Sequence, residues 1–472
     1  MKKVYIGILV LTLFTTSCQD WIDVSPKTDV KTEELFKDES GFKSALIGIY
    51  SRMTNNETYG RQLSFDFIEC LVQRYDNYIT NKGDEERAKI YNYITEKESK
   101  NKIATIWSEM YKTIANINNF LANLELYGEI ITRPGYREMM KGEALGLRAF
   151  HYFDLLRLWG PVYSEDSTVL TIPWRDQFTP DKVPQMAAHE LVGKILQDLL
   201  QAEQLLKNDG MNYNYNYKEP FVGERKHRMN KYAVKAMLAR VYLYAGNYEK
   251  AAKYAREVID HSGLSLVSDN RVDVAMYGET IFGLEIYDME TRYENLWTIA
   301  SEFGNNREYW ISAANAQEIF EVNTIGLNDI RYKEQYGFSH NAKAQLKCRK
   351  YLPSNQTLYD EKLPLIRMSE LYKLMAESVA LDESPQYINA VRNARGISYN
   401  SNLQAGATFT AAVRMEELQK EYQKDFFAEG QFFYFLKRHH AKTFWRCPVR
   451  DFDAYVFPIP DDEVEFGLIA GD

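Results

Sequence analysis

Apolar positions recur with helical periodicity over much of the chain. Leu145, Ala149, Tyr152, Leu156 and Trp159 follow one another at spacings of 4, 3, 4 and 3 residues, which lines them along one face of a helix. That pattern predicts a helix over Tyr136–Leu158, ended by Gly160-Pro161, because proline cannot continue the hydrogen-bond ladder. Comparable stripes predict helices over Ser40–Arg52, Thr105–Leu126 and Ala187–Leu206. The Tyr/Asn-rich segment Met211–Tyr217 lacks the period and reads as a loop.

Two stretches carry the period twice, with a turn between. In Asn230–Asp260, Leu238, Ala239, Tyr242, Ala251 and Ala255 fall on the tetratricopeptide spacing, and Gly246-Asn247 marks the turn. The small Ala239 and Ala251 let paired helices approach, and Tyr242 fills the space between them; Lys235 stands where that repeat usually has Trp. Leu365–Arg395 predicts a second hairpin, with Met368, Tyr372, Met375 and Val379 as its stripe, Asp382–Pro385 as its turn and Tyr387–Arg395 as its second helix. One hairpin cannot cover its own apolar face, so the hairpins are expected to stack. Residues 262–323 and 328–359 show no clean period and mix Gly, Asn and aromatics. The expected fold is mainly α: a tetratricopeptide-like helical-hairpin scaffold, an α-α superhelix, over about residues 32–260 and 360–440. It carries a loop-rich irregular subdomain over about 262–359.

The N-terminus reads differently. Met1-Lys2-Lys3 precedes an apolar run from Val4 to Phe14, then Thr15-Thr16-Ser17-Cys18. The run is too short to span a bilayer, which takes about 20 residues, and reads as a secretory signal over 1–17. Cys18 follows it as the thiol of a bacterial lipobox does, with Thr15 where Leu is usual. Residues 18–31 then read as a lipidated tether, anchored to a membrane without crossing it. The other cysteines, Cys70, Cys348 and Cys447, are odd in number and lack ligand spacing, so neither a disulfide framework nor a zinc site is expected.

Composition narrows the chemistry. With 57 Lys+Arg against 66 Asp+Glu in 472 residues the formal charge is −9, which argues against nucleic acid as a partner. Aromatics are abundant, 34 Tyr, 24 Phe and 7 Trp, and serve either a core or a stacking surface. No phosphate-binding loop, dinucleotide fingerprint, zinc-protease helix, nucleophile elbow or calcium loop is present. No cofactor or metal ligand is therefore assigned. Carboxylate clusters at Asp84-Glu85-Glu86, Glu416-Glu417 and Asp461-Asp462-Glu463 read as solvated faces, and no enzyme is expected.

These features assemble into a resemblance. Cys18 followed by Asp20-Trp21-Ile22-Asp23-Val24-Ser25-Pro26 resembles the mature start of SusD/RagB outer-membrane lipoproteins. Leu147-Arg148-Ala149-Phe150-His151-Tyr152-Phe153-Asp154-Leu155-Leu156-Arg157-Leu158-Trp159-Gly160-Pro161 resembles that family's most recognisable block. Arg367-Met368-Ser369-Glu370-Leu371-Tyr372, Glu421-Tyr422-Gln423-Lys424-Asp425-Phe426-Phe427-Ala428-Glu429-Gly430-Gln431 with Lys437-Arg438, and Pro458-Ile459-Pro460 follow in the family's order, with Asp425 where Glu is commoner.

The resemblance implies a single SusD-like domain over 32–472. It also implies a surface-exposed, non-enzymatic protein that binds glycans and delivers them to a SusC-type TonB-dependent transporter. A peptide ligand, a tetratricopeptide interaction scaffold and a surface glycoside hydrolase are the alternatives. Arg148, Asp154, Arg157, Glu421 and Glu429 are expected to be structural, Asp154 and Arg157 being close enough in sequence to pair. Ligand binding is expected where aromatics and hydroxyl-recognising polar groups mix in loops. One such segment is Arg74-Tyr75-Asp76-Asn77-Tyr78, near Tyr91 and Tyr93. The other runs from Trp297 through Asn305, Asn306, Arg307, Tyr309 and Trp310. The candidate ligand-binding residues are thus Tyr75, Tyr78, Trp297, Arg307, Tyr309 and Trp310.

Overall fold

The computed structural model describes residues 32–76, 91, 93, 97–210, 219–297, 309–333, 337–340, 345–353, 358–447 and 454–467. Helices form where the apolar period predicts them: α1 spans Glu39–Met53, α2 Lys97–Tyr127, α3 Tyr136–Trp159 and α4 Ala188–Leu205. A short antiparallel ribbon, β1 (Leu170–Pro173) with β2 (Gln185–Ala187), leads into α4. The predicted first hairpin is α5 (Lys231–Tyr244) and α6 (Tyr248–His261). Its ends are set locally. The Asn230 side chain caps α5 by accepting from the N–H groups of Tyr232 and Ala233, each at 2.9 Å. Gly246 takes φ +76 in the turn, a left-handed conformation that costs glycine little. Ala239, Ala251 and Ala255 are fully buried, and the Tyr242 and Tyr254 rings stack across the hairpin at 5.8 Å.

The irregular region contains β3 (Thr280–Glu285), α7 (Met289–Trp297), α8 (Ala313–Ile319) and the small ribbon β4 (Phe338–His340) with β5 (Leu346–Cys348). It is not a free appendage. β3 pairs antiparallel with β6 (Lys362–Arg367), which runs directly into α9 (Met368–Ser378). The second hairpin therefore begins at Met368, not Leu365. Pro364 disfavours helix before that point and stands opposite Gly283, where the register shifts. Pro385 lies in the first turn of α10 (Ser384–Ala394) rather than in the connecting turn; a missing N–H costs nothing there. The buried face of α9 includes Leu371 and Leu374, while Tyr372 is only half-buried. Helices α11 (Ala411–Asp425) and α12 (Gln431–Arg438) complete the scaffold.

Helix α3 corrects the one-sided stripe predicted for it: every residue from Gly142 to Trp159 is buried. It is a central helix whose polar residues find partners inside, so hydrophobic period alone understates its burial. Gly142 allows the close approach of its neighbour, since a Cβ there would meet Leu206 Cγ at 2.7 Å. Arg148 donates to both oxygens of Asp198 at 2.7 and 2.8 Å. Glu143 accepts from Arg225, Arg228 and the Tyr50 hydroxyl at 2.6, 2.8 and 2.7 Å. Asp154 accepts from Tyr59 at 2.8 Å and pairs with Arg157, as expected from their spacing.

A larger buried ion cluster joins α9, α11 and the end of α10 to β6 and to the turn before β3. Asp425 accepts from Arg395 Nε at 2.9 Å, Lys373 Nζ at 2.7 Å and Ser369 Oγ at 2.6 Å. Arg367 and Arg395 also reach Glu279, Arg367 reaches Glu429, and Arg331 bridges Asp329 to Glu421. Burial alone would raise the Asp425 carboxyl, but Arg395, Lys373, Arg367 and Arg331 outweigh it and hold it well below the usual range. The same balance, against Arg438 and His439, brings Glu377 down to about 2.

A carboxylate depressed in the folded state stabilises it above the unfolded pKa, about 4, and that stability is lost as pH falls toward the folded value. Glu69 and Asp198, which burial raises despite their arginines, act in the opposite sense over the same acidic range. Asp425, Glu279, Glu421, Glu143 and Glu377 outnumber them. The buried imidazoles of His151 and His227, which burial lowers to about 4, add a loss that begins as pH falls through about 6.5. The melting temperature is expected to decline from about pH 6.5 and to fall steeply below about pH 4.5. Calorimetric scans across that range check it; a flat profile down to pH 3 would contradict the cluster's charge state.

Candidate functional site

The two candidate loop segments lie far apart in sequence and meet in space. Tyr75 and Tyr309 stack face to face, their ring centroids 4.4 Å apart with planes 10° from parallel. One residue further on, the Asp76 N–H donates to the Trp310 carbonyl at 2.8 Å. The Tyr309 N–H donates to the Leu296 carbonyl at 2.6 Å, so the end of α7 reaches the same place. Trp297 is the last residue of that helix, and its side chain lies outside the described residues, as do Cys18, Tyr78 and Arg307.

Inside and outside are divided by the extended backbone of 309–311, where successive side chains point to opposite sides. Tyr309 and Ile311 are buried and Trp310 between them is half-exposed. Ile311 is held by reciprocal hydrogen bonds with Leu346 in β5, at 3.0 and 2.8 Å. Ser312 then caps α8. Tyr75 and Tyr309 are corrected here as ligand-stacking residues. Each has a ring face on the other, and both are almost completely buried. Tyr75 also donates to the Phe65 carbonyl at 2.7 Å, and Tyr309 to Asp66. Tyr93 is likewise interior, donating to the Ala454 carbonyl at 2.7 Å. Arg74 is buried against Glu69 at 2.8 Å, its guanidinium over the Phe432 ring.

The polar groups at this junction converge on Asp76, which accepts from the Ser312 N–H, the Asn315 amide and Arg446. The Arg446 guanidinium also lies over the half-exposed Trp445 ring, 5.2 Å from its centroid. Trp445 and Arg446 carry no periodic or motif signal and were not anticipated. Glu69 was missed too: it accepts from the N–H groups of Ala428 and Gly430 at 3.1 and 2.9 Å, holding the turn between α11 and α12 beneath the junction. Two partly exposed indoles, one with a guanidinium on its face, and the Asn315 carboxamide form an aromatic–polar surface over the buried Asp76 carboxylate. It suits a ring-shaped, hydroxyl-rich ligand.

Residues 20–243 match a family model described as "Starch-binding associating with outer membrane". Residues 195–465, more than half the chain, match the model of the SusD family. The chain belongs to the SusD family. A relative of the SusD-family chain is SusD-like protein P38 of Formosa agariphila, 24% identical over 449 residues, covering 84% of this chain and 82% of that one. A SusD superfamily protein from Bacteroides thetaiotaomicron superposes with a TM-score of 0.69 at 21% identity, over 91% of this chain and 98% of that chain. A laminarin-binding SusD-like protein superposes with a TM-score of 0.65 at 16% identity, over 92% and 99%.

SusD-like sequence blocks pack on one another. The Phe457 N–H donates to the Leu158 carbonyl at 3.0 Å, and Trp159 Nε1 to the Pro458 carbonyl at 2.9 Å. Lys437 donates to the carbonyls of Leu158 and Gly160 at 3.1 and 2.7 Å. These residues build the SusD scaffold. Among the described residues, no helix is long and apolar enough to cross a membrane.

Proposed function

We propose that this SusD-family protein is a non-enzymatic glycan-binding lipoprotein of the outer membrane, anchored through Cys18 after removal of residues 1–17. It faces outward and hands its ligand to a SusC-type TonB-dependent transporter. The observation that carries the reading is the convergence of the two aromatic loop segments, which leaves Trp310 partly exposed while its carbonyl is held by the Asp76 N–H. Trp310 and Trp445 supply ring faces, and Tyr78, Trp297 and Arg307 stay candidate ligand-binding residues by sequence. Asn315 and Arg446, held in place by Asp76, supply the hydroxyl contacts. The laminarin-binding structural neighbour supports a glucan as the first ligand to try.

The test is calorimetric titration of the full chain in detergent with laminarin, soluble starch and a panel of plant and host glycans, repeated for Trp310→Ala. Binding to one glycan class, weakened at least tenfold in the variant with an unchanged melting temperature, is the expected result; tenfold corresponds to about 1.4 kcal/mol. Binding of equal strength in the variant would move the site off this junction. Absence of binding to every glycan would overturn the ligand class.

A further inference from the structure

A second concavity, of about 440 Å³, opens between α1, the 220–228 segment and the end of β3. Its rim carries Ile47 and Tyr287, the latter 88% exposed. Glu224, His227 and Glu285 stand on its wall, and one ligand atom from each lies within 4.8 Å of the other two. Among the described residues this is the one group of such side chains close enough to share a metal ion.

The fold brings them together in two steps. Glu224 precedes the short 3₁₀ turn Arg225–His227, and residues three apart on that tight turn eclipse one another. The side chains of Glu224 and His227 are thereby presented together, His227 Nε2 lying 3.9 Å from Glu224 Oε2. Glu285 ends β3, with its Oε2 4.0 Å from the same nitrogen. Its other oxygen, Oε1, is held by Lys362 Nζ at 2.7 Å, which orients the carboxylate.

The imidazole ring lies flat against Tyr277, their centroids 5.5 Å apart. Nε2 meets the Tyr277 hydroxyl at 2.9 Å, a hydrogen bond that a metal ion would replace.

We infer that Glu224, His227 and Glu285 form a binding site for a divalent transition-metal ion of the zinc type, with a coordination position open to the cleft. Nitrogen with two carboxylates favours such ions over calcium or magnesium, which take all-oxygen cages. Tetrahedral zinc at about 2.0–2.2 Å sets its ligands about 3.4 Å apart. Each carboxylate oxygen therefore closes on the imidazole nitrogen by about half an ångström, an adjustment open to side chains that are 34% and 51% exposed. Three protein ligands leave a place for water or for an oxygen of a ligand lying against Tyr287. The inference does not rest on the glycan reading, whose site is built from other residues.

The test is calorimetric titration of the full chain with ZnCl2, and with CaCl2 for comparison, alongside His227→Ala and Glu285→Gln. Expected are one zinc ion per chain, a rise in melting temperature on loading, at least tenfold weaker binding in each variant, and no comparable calcium binding. Glu285 is exposed enough that its variant folds, and the metal-free melting temperature verifies this. Unsaturable zinc uptake, zinc binding of equal strength in both variants, or calcium binding as tight as zinc would overturn the assignment.

Discussion

Asp425→Asn is expected to lower the unfolding free energy by about 3–5 kcal/mol, the range for leaving buried charges without their counter-ion. The substitution keeps the shape of the side chain, so no cavity contributes. The negative charge goes, and one acceptor oxygen becomes an N–H2 group facing donors. Arg395, Lys373, Arg367 and Arg331 would then share Glu279, Glu421, Glu429 and Asp329, while Lys373 Nζ and Ser369 Oγ, both on Asp425 Oδ2, lose their shared carboxylate. Whole domains are stable by only about 5–15 kcal/mol, so the urea midpoint should fall by a large fraction or the protein should accumulate unfolded. A midpoint shifted by less than about 0.5 kcal/mol would mean that the cluster is dispensable. Adding Lys373→Met to Asp425→Asn should recover part of the loss, because it removes one of the stranded cations.

Tyr75→Ala is expected to cost about 3–5 kcal/mol, as large-to-small changes of buried aromatics do, and to abolish ligand binding with it. The ring is fully buried, stacked on Tyr309 and edge-on to Phe427. Its removal loosens the pairing that sets Asp76 against the Trp310 backbone. Tyr75→Phe keeps the stack and loses the hydrogen bond to Phe65, worth about 1 kcal/mol, and should bind normally. Trp310→Ala should show the reverse: binding lost, stability kept. Denaturation and titration on the same three variants separate packing from contact. Full stability in Tyr75→Ala would return that ring to the list of ligand-stacking residues.

The helices were legible because amphipathic period and breakers coincide: Gly160-Pro161 ends α3, and Gly246-Asn247 separates α5 from α6. The polar interior of α3 was not, since Glu143, Arg148 and His151 interrupt the apolar pattern while being buried as deeply as their neighbours. The β3–β6 pair was hidden by distance along the chain, and by a run, Leu363-Pro364-Leu365-Ile366, that reads equally as the approach to a helix. At the junction, sequence composition found both loops but not which rings face outward. Tyr309-Trp310-Ile311 offers three bulky residues in a row, and only the extended backbone separates the middle one from its neighbours. Trp445 and Arg446 reach the same place from near the other end of the chain. Glu224 and Glu285 likewise meet only through the fold.

Asp76 and Arg446, which pair at the junction, are separated by 370 residues. The aromatic–polar surface therefore cannot exist on a nascent or clipped chain, even one that already carries Tyr75, Trp297 and Trp310. A chain leaving the ribosome or a translocation pore in N-to-C order completes its binding surface last, after the scaffold beneath it has closed. On the proposed reading, binding competence reports that the whole polypeptide has arrived, and a protease cut near the C-terminus is expected to end ligand capture while leaving most of the helices standing.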